Sequence, residues 1–301
     1  MTSIELPADG YQPRRASRTE RINVRGIDYN IRHWGPEDAP LLMMVHGHRD
    51  ASITWQFVID NFANEWRIVA PDWRGFGLSQ WAPQGYWHQD YLADLDALAE
   101  RFSPHEPINL IGHSMGGNIS NSYAGVRPDR VKNLVAIDGF GLRNRGPGEL
   151  PEHLAKWLTS WRDPLPGSRP YKTLHEMADR LVQGNPKLDR ERALLLAWAQ
   201  HRVNADGTLS WSFDPGHARP FGTLHRVEEW VACWKHITCP TLWVASGRPF
   251  PPNIEGDTHP IDWRRQQVPH ARFHVMEGTG HNVQHDAPDR LAKMIEEFLA
   301  G

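Results

Sequence analysis

The residues with the plainest chemical meaning are Gly112-His113-Ser114-Met115-Gly116, at the end of the apolar run Pro107-Ile108-Asn109-Leu110-Ile111. The pattern is G-x-S-x-G at a junction of strand and helix. A serine at such a turn is lifted out of the sheet, and flanking glycines leave room for the sharp bend. The N–H of Met115 then opens a helix, where a developing oxyanion can be held. The chemistry suggested is attack by the Ser114 hydroxyl on a carbonyl carbon. A serine does this only when a neighbouring imidazole takes its proton. Of 17 histidines, His281 stands out because it follows Gly278-Thr279-Gly280 just past an expected final strand, with His285 as the nearest rival. The imidazole in turn needs a carboxylate on its other nitrogen.

These residues must be gathered by the elements between them. Apolar runs over residues 41–45, 67–70, 107–111, 131–137, 241–245 and 271–276 read as strands buried on both faces. Residues 21–34 alternate around Arg25-Gly26 as a hairpin. Helical spacing follows several strands: Trp55, Val58, Ile59 and Phe62 with Ser52 as a cap, then Tyr91, Leu95, Leu98 and Phe102, then residues 115–126, and finally 288–299. The strand rhythm stops between residues 139 and 237, where helical patterns cover 153–161, 174–182 and 190–202. Alternating strands and helices predict an α/β fold, a doubly wound and mostly parallel sheet with an inserted helical lobe. The expected organisation is a flexible polar arm over residues 1–20, a core of 21–138 and 238–301, and a lobe of 139–237. Ser114, Asp138, His281 and the His46-Gly47-His48 turn all fall just after strand ends, the edge where such sheets bind ligands.

Composition narrows the function classes. The chain has 301 residues, with 40% hydrophobic and 23% charged, which are globular values. A net charge of -3 gives no basic surface for nucleic acid or anionic lipid. Cys233 and Cys239 are too few for a disulfide framework. Residues 1–20 lack the apolar core of a secretory signal, and no run approaches the roughly 18 apolar residues of a membrane helix. The expectation is a cytoplasmic protein, monomer or homodimer, with no nucleic-acid or membrane partner. No histidine or cysteine pair has metal-ligand spacing, so neither metal nor cofactor is expected. The outlying number is 14 tryptophans. Trp157, Trp161 and Trp198 in the lobe are expected to wall a mainly apolar pocket for a small molecule.

His46-Gly47, Asp72-x-Arg74-Gly75-x-Gly77-x-Ser79, Gly112-x-Ser114-x-Gly116-Gly117 and Gly278-x-Gly280-His281 stand in the order used by the α/β-hydrolase superfamily, which the chain resembles from about residue 21 to its end. The lobe would be that family's cap. Tyr171-Lys172-Thr173-Leu174, Asn185-Pro186, Arg192-Ala193 and Trp211-Ser212-Phe213-Asp214-Pro215 resemble the capped, esterase-type serine hydrolase-like group. The resemblance implies Ser114 as nucleophile, His281 as general base, and the backbone N–H groups of His48 and Met115 as oxyanion hole. It implies cleavage of an ester, thioester or related carbonyl compound through an acyl-enzyme.

One departure leaves the acid open. Many members carry it about three residues past the glycine that ends the strand at 241–245, but here Gly247 is followed by Arg248-Pro249-Phe250. Asp138, at the end of the strand after the serine strand, and Asp257, in the later proline-rich loop, are the two candidates. The cofactor-free dioxygenases of the superfamily also place their acid after the earlier strand, so non-hydrolytic chemistry is the alternative, and a ligand-binding member without turnover is another. Dehalogenases and epoxide hydrolases need a carboxylate nucleophile, which Ser114 does not supply.

Overall fold

A computed structural model describes residues 4–165, 167, 169–247 and 259–301. In chain order the strands are β1 (Ser17–Val24), β2 (Ile27–Trp34), β3 (Leu41–Val45), β4 (Arg67–Pro71), β5 (Ile108–His113), β6 (Val131–Ile137), β7 (His201–Val203), β8 (Leu209–Trp211), β9 (Thr241–Ser246) and β10 (Arg272–Met276). The helices are α1 (Gln56–Ile59), α2 (His88–Phe102), α3 (Met115–Val126), α4 (Leu150–Arg162), α5 (Leu174–Gly184), α6 (Arg190–Ala199), α7 (Val227–Trp234), α8 (Ile261–Arg265), α9 (Val283–Asp286) and α10 (Pro288–Leu299).

Eight strands form one sheet in the order β1-β2-β4-β3-β5-β6-β9-β10. From β4 to β10 every pairing is parallel, while β1–β2 and β2–β4 are antiparallel. The chain leaves β3 towards β4 and then crosses to β5 on the other side. The sheet therefore switches direction between β3 and β5, the place where the carboxyl ends of neighbouring strands open a crevice.

Alternation along the strands divides the core into two layers. Met43, Val45, Leu110, Leu134 and Trp243 face one side with Tyr91, Leu95, Ile119, Tyr123 and Trp234 of α2, α3 and α7. Leu42, Met44, Ile111, Val135 and Val244 face the other, against Trp55 just before α1, Val58 of α1, and Leu291, Ile295 and Phe298 of α10. Both faces are covered, which is why these strands read as continuous apolar runs.

Several expectations need correction. Residues 4–16 are not a loose arm: the Asp60 carboxylate accepts from Tyr11 Oη and from the backbone N–H groups of Arg14 and Arg15, and β1 already begins at Ser17. Beside its helices the lobe carries a short strand pair, β7 and β8, around the Asp206-Gly207 turn. The lobe does not reach 237 as a unit. Val227, Val231 and Trp234 of α7 join the core layer beside α3, so the chain rejoins the main body before β9. Ser52 caps nothing with its hydroxyl; its backbone N–H is held by Asp72 instead.

A buried carboxylate ties the outer strands to the sheet's flank. Asp94 on α2 is fully buried and accepts two hydrogen bonds from the Arg74 guanidinium at 2.6 and 2.7 Å, one from Arg25 at 2.9 Å, and one from Tyr29 Oη. Removing Arg74 would leave that charge undercompensated away from water. Arg74→Met is expected to lower unfolding free energy by about 3 kcal/mol. Arg25, 41% exposed, should cost under about 1 kcal/mol when changed to Met. Urea unfolding at neutral pH measures both, and equal losses would contradict this ranking.

Candidate active site

Ser114 sits between β5 and α3 with φ 53° and ψ −114°, a left-handed conformation a side chain rarely adopts. Its N–H bonds to Ile137 O at 2.8 Å, which anchors the turn to β6. The flanking glycines are required by contact. A Cβ at Gly112 would lie 2.4 Å from Gly116 O, and one at Gly116 would lie 2.4 Å from Val45 O. Any larger residue would push the turn off the sheet.

Three strand ends meet at this serine. Ser114 Oγ lies 2.9 Å from His281 Nε2, and His281 Nδ1 lies 2.8 Å from Asp138 Oδ2. Asp138 is fully buried, and its φ of 47° turns it off the end of β6. Its N–H bonds to Val244 O, and its Oδ1 accepts from Ser246 N–H at 2.8 Å. With these partners Nδ1 of His281 donates to the carboxylate and Nε2 faces the hydroxyl. Asp257 lies outside the described residues.

The turn after β3 closes on the same point. A Cβ at Gly47 would lie 2.9 Å from His113 Nδ1 and 3.1 Å from Ser114 Cβ, so this backbone runs directly against the serine. His46 shapes it: Nδ1 donates to Gly47 O at 2.7 Å and Nε2 accepts from Trp73 N–H at 2.9 Å. Burial keeps His46 neutral, with its pKa pushed down to about 4. Burial lowers His48 likewise to about 4, aided by Arg49. The Met115 N–H stands in the first turn of α3, where helix geometry supplies no intrahelical acceptor.

Other histidines have supporting places. His113 lies under the turn, donating from Nε2 to His281 O at 2.9 Å while Nδ1 faces Gln284 Nε2 at 3.2 Å. Burial holds it well below its ordinary pKa. His285, the rival to His281, bonds Thr54 Oγ1 at 2.6 Å rather than Ser114. Asp286, which motif reading missed, holds the histidine loop together with Asn185. Asp286 accepts from Gly280 N–H at 2.6 Å with one oxygen and from Asn185 Nδ2 at 2.7 Å with the other. Nothing in their spacing signals this, since the contact joins the lobe to the last loop.

The cavity over Ser114, about 350 Å³, corrects the expected pocket. Its aromatic walls are Trp211 and Phe213, not Trp157, Trp161 or Trp198, and Arg49, Asp50, Arg180 and Gln200 share it with Leu181 and Leu196. Trp157 and Trp161 instead line a separate space of about 60 Å³ with Trp87 and Phe221, and His48 borders both. The indole N–H of Trp198 is bound to Ile4 O, facing the N-terminal segment. Among the described residues no three histidine, cysteine, aspartate or glutamate side chains are grouped to hold a metal, and no helix is long and apolar enough to cross a membrane.

Sheet order, a serine turn at the direction switch and a histidine after the last strand together define an α/β-hydrolase architecture. Residues 40–288 match the family model for the alpha/beta hydrolase fold, and the chain belongs to that family. It is 29% identical to a serine hydrolase-like protein of Danio rerio over 214 residues, 66% of this chain and 63% of that protein, so the match spans less than two thirds of that relative. It is 27% identical over 271 residues to a cis-3-alkyl-4-alkyloxetan-2-one decarboxylase of Shewanella oneidensis, covering 86% of this chain and 81% of that one. Among solved structures, a thioesterase domain from the curacin biosynthetic pathway superposes with a TM-score of 0.83 at 25% identity, covering 93% of this chain and 99% of that domain.

Asp50 offers a test of the cavity's electrostatics. Its carboxyl accepts from Ala51 N–H and Gln200 Nε2, and burial raises its pKa to about 7. An unfolded aspartate ionises near pH 3.9. Folding is therefore opposed by this group increasingly as pH rises from about 4 to about 7, and fully above. Asp50→Asn carries no such penalty. Its melting temperature relative to the wild type is expected to rise between pH 4 and pH 8, and a difference that is constant with pH would refute the shift.

Proposed function

We propose that this chain is a serine hydrolase that cleaves an ester, thioester or related carbonyl compound through an acyl-enzyme on Ser114. The observation that carries the reading is the hydrogen-bonded series Ser114 Oγ, His281 Nε2, His281 Nδ1 and Asp138 Oδ2, at 2.9 and 2.8 Å. The resemblance to a serine hydrolase-like protein and to a thioesterase domain supports it.

In this mechanism Ser114 Oγ attacks the carbonyl carbon as His281 Nε2 takes its proton. The oxyanion accepts hydrogen bonds from the His48 and Met115 N–H groups. The imidazolium formed is stabilised by the buried Asp138 carboxylate, which also fixes the tautomer. Collapse of the tetrahedral intermediate expels the alcohol or thiol, which leaves with the proton from Nε2. Water then attacks the acyl-enzyme, giving its proton to Nε2, and the acid departs as Ser114 regains its hydrogen. The lobe between β6 and α7 acts as a cap, since Arg180, Leu181 and Trp211 roof the cavity.

Two measurements test the reading. A fluorophosphonate probe should add its mass to the wild type at Ser114 and leave Ser114→Ala unlabelled; modification at another residue would overturn the assignment. Asp138→Asn preserves shape but loses the tautomer, so kcat should fall on the order of 10⁴-fold while the protein remains folded. Retention of kcat within tenfold would remove Asp138 from the set.

A further inference from the structure

The Ser114 cavity differs in charge from the molecule around it. The chain carries a net charge of -3, yet two guanidinium groups line this one hollow. Arg49 comes from the turn after β3 and Arg180 from α5, on opposite parts of the fold. Among the described residues neither makes an ion pair. Arg49 is held at φ 56°, a conformation that glycine or asparagine adopts with less strain, and its guanidinium lies 5.5 Å from the centre of the Phe213 ring, itself part of the wall. Among the described residues the one carboxyl that lines the cavity is Asp50; its Oδ1 accepts from Ala51 N–H and Gln200, and it pairs with neither arginine. The titratable neighbours facing the space are otherwise histidines: His48, His113, His281 and His285. Among the described residues, then, no carboxylate forms an ion pair with either arginine.

Unpaired cations in a concave site concentrate anions there. A guanidinium also offers a planar fork that matches a carboxylate. We infer that the cavity selects short carbonyl substrates that carry a second, anionic carboxylate, held by Arg49 and Arg180 while the scissile carbonyl faces Ser114. This rests on the serine hydrolase reading and adds a substrate class to it. A volume of about 350 Å³ confines the whole substrate to small-metabolite size.

Matched ester pairs test the idea. The half-ester 4-nitrophenyl hydrogen glutarate is compared with its methyl-capped diester, which places the charge on the acyl side. The acetate ester of 4-hydroxybenzoate is compared with that of its methyl ester, which places it on the leaving group. The charged member of at least one pair should have kcat/KM about tenfold higher, mostly through KM, and the pair concerned identifies the side that the arginines grip. Arg49→Gln and Arg180→Gln should each shrink that ratio several-fold, added salt should shrink it too, and Arg180→Glu should turn the preference towards the neutral member. Equal kcat/KM within both pairs, or ratios that no arginine variant moves, would overturn the inference while labelled Ser114 leaves the hydrolase reading standing. A binding arm removes dependence on turnover. Titrating Ser114→Ala with monomethyl glutarate and with dimethyl glutarate should give tighter binding of the anion. Equal affinity, or none for either, would overturn the inference whatever the fate of hydrolysis.

Discussion

The structure turns on a backbone bend that tolerates no bulk. At Ser114 the chain reverses from strand to helix in a left-handed conformation, with the carbonyl of Gly116 where a side chain on residue 112 would have to go. That crowding has a geometric return. The hydroxyl projects beyond the sheet edge towards His281, and the turn after β3 packs directly against the serine. Among the described residues, the non-glycine positions with positive φ are Arg25, Arg49, Ser114 and Asp138, and three of these border the cavity or hold its histidine. Strain of this kind persists only where the surroundings over-determine it, and here β5, β6 and β9 do so through parallel ladders.

Two buried imidazoles support the site in the same way: His46 and His113 are each held neutral by burial, with an acceptor on one ring nitrogen and a donor on the other. His46 holds the oxyanion turn and His113 holds the loop of His281. Asp72 does related work below, accepting from Ser52, Leu78 and Asn30, with no room for a side chain on Gly77 beside it. The signature around Asp72 and Arg74 is thus architectural. It clamps the loop after β4 so that Trp73 can reach His46.

Much of this was legible in the residues. Continuous apolar runs gave the central strands because both faces of the sheet are covered, and the glycines around Ser114 marked the bend that demands them. Asp138 could be nominated because it ends the strand beside the serine strand. What escaped was contact across long separations. Trp157 and Trp161 were plausible pocket walls by type, but α4 carries them over Trp87 instead of over Ser114, and type carries no information on which way a lobe helix lies. The seating of residues 4–16 depends on distant partners, the Asp60 carboxylate and the Trp198 indole N–H among them, whose role only the folded chain reveals. The mixed polarity of the cavity was hidden for the same reason: Arg49 and Arg180 are 131 positions apart (180 − 49), and each alone reads as an ordinary surface charge.

The carboxylate of Asp286 joins two parts of the molecule that the chain keeps distant. One oxygen steadies the loop that carries His281, and the other grips Asn185 at the end of α5. The lobe is consequently not an interchangeable attachment. A lobe transplanted from a relative without an amide at position 185 would strand one carboxylate oxygen and slacken the loop beneath it. Recombination between members of the family therefore has a seam it must respect, in which residues 185 and 286 travel together although a hundred residues of chain separate them.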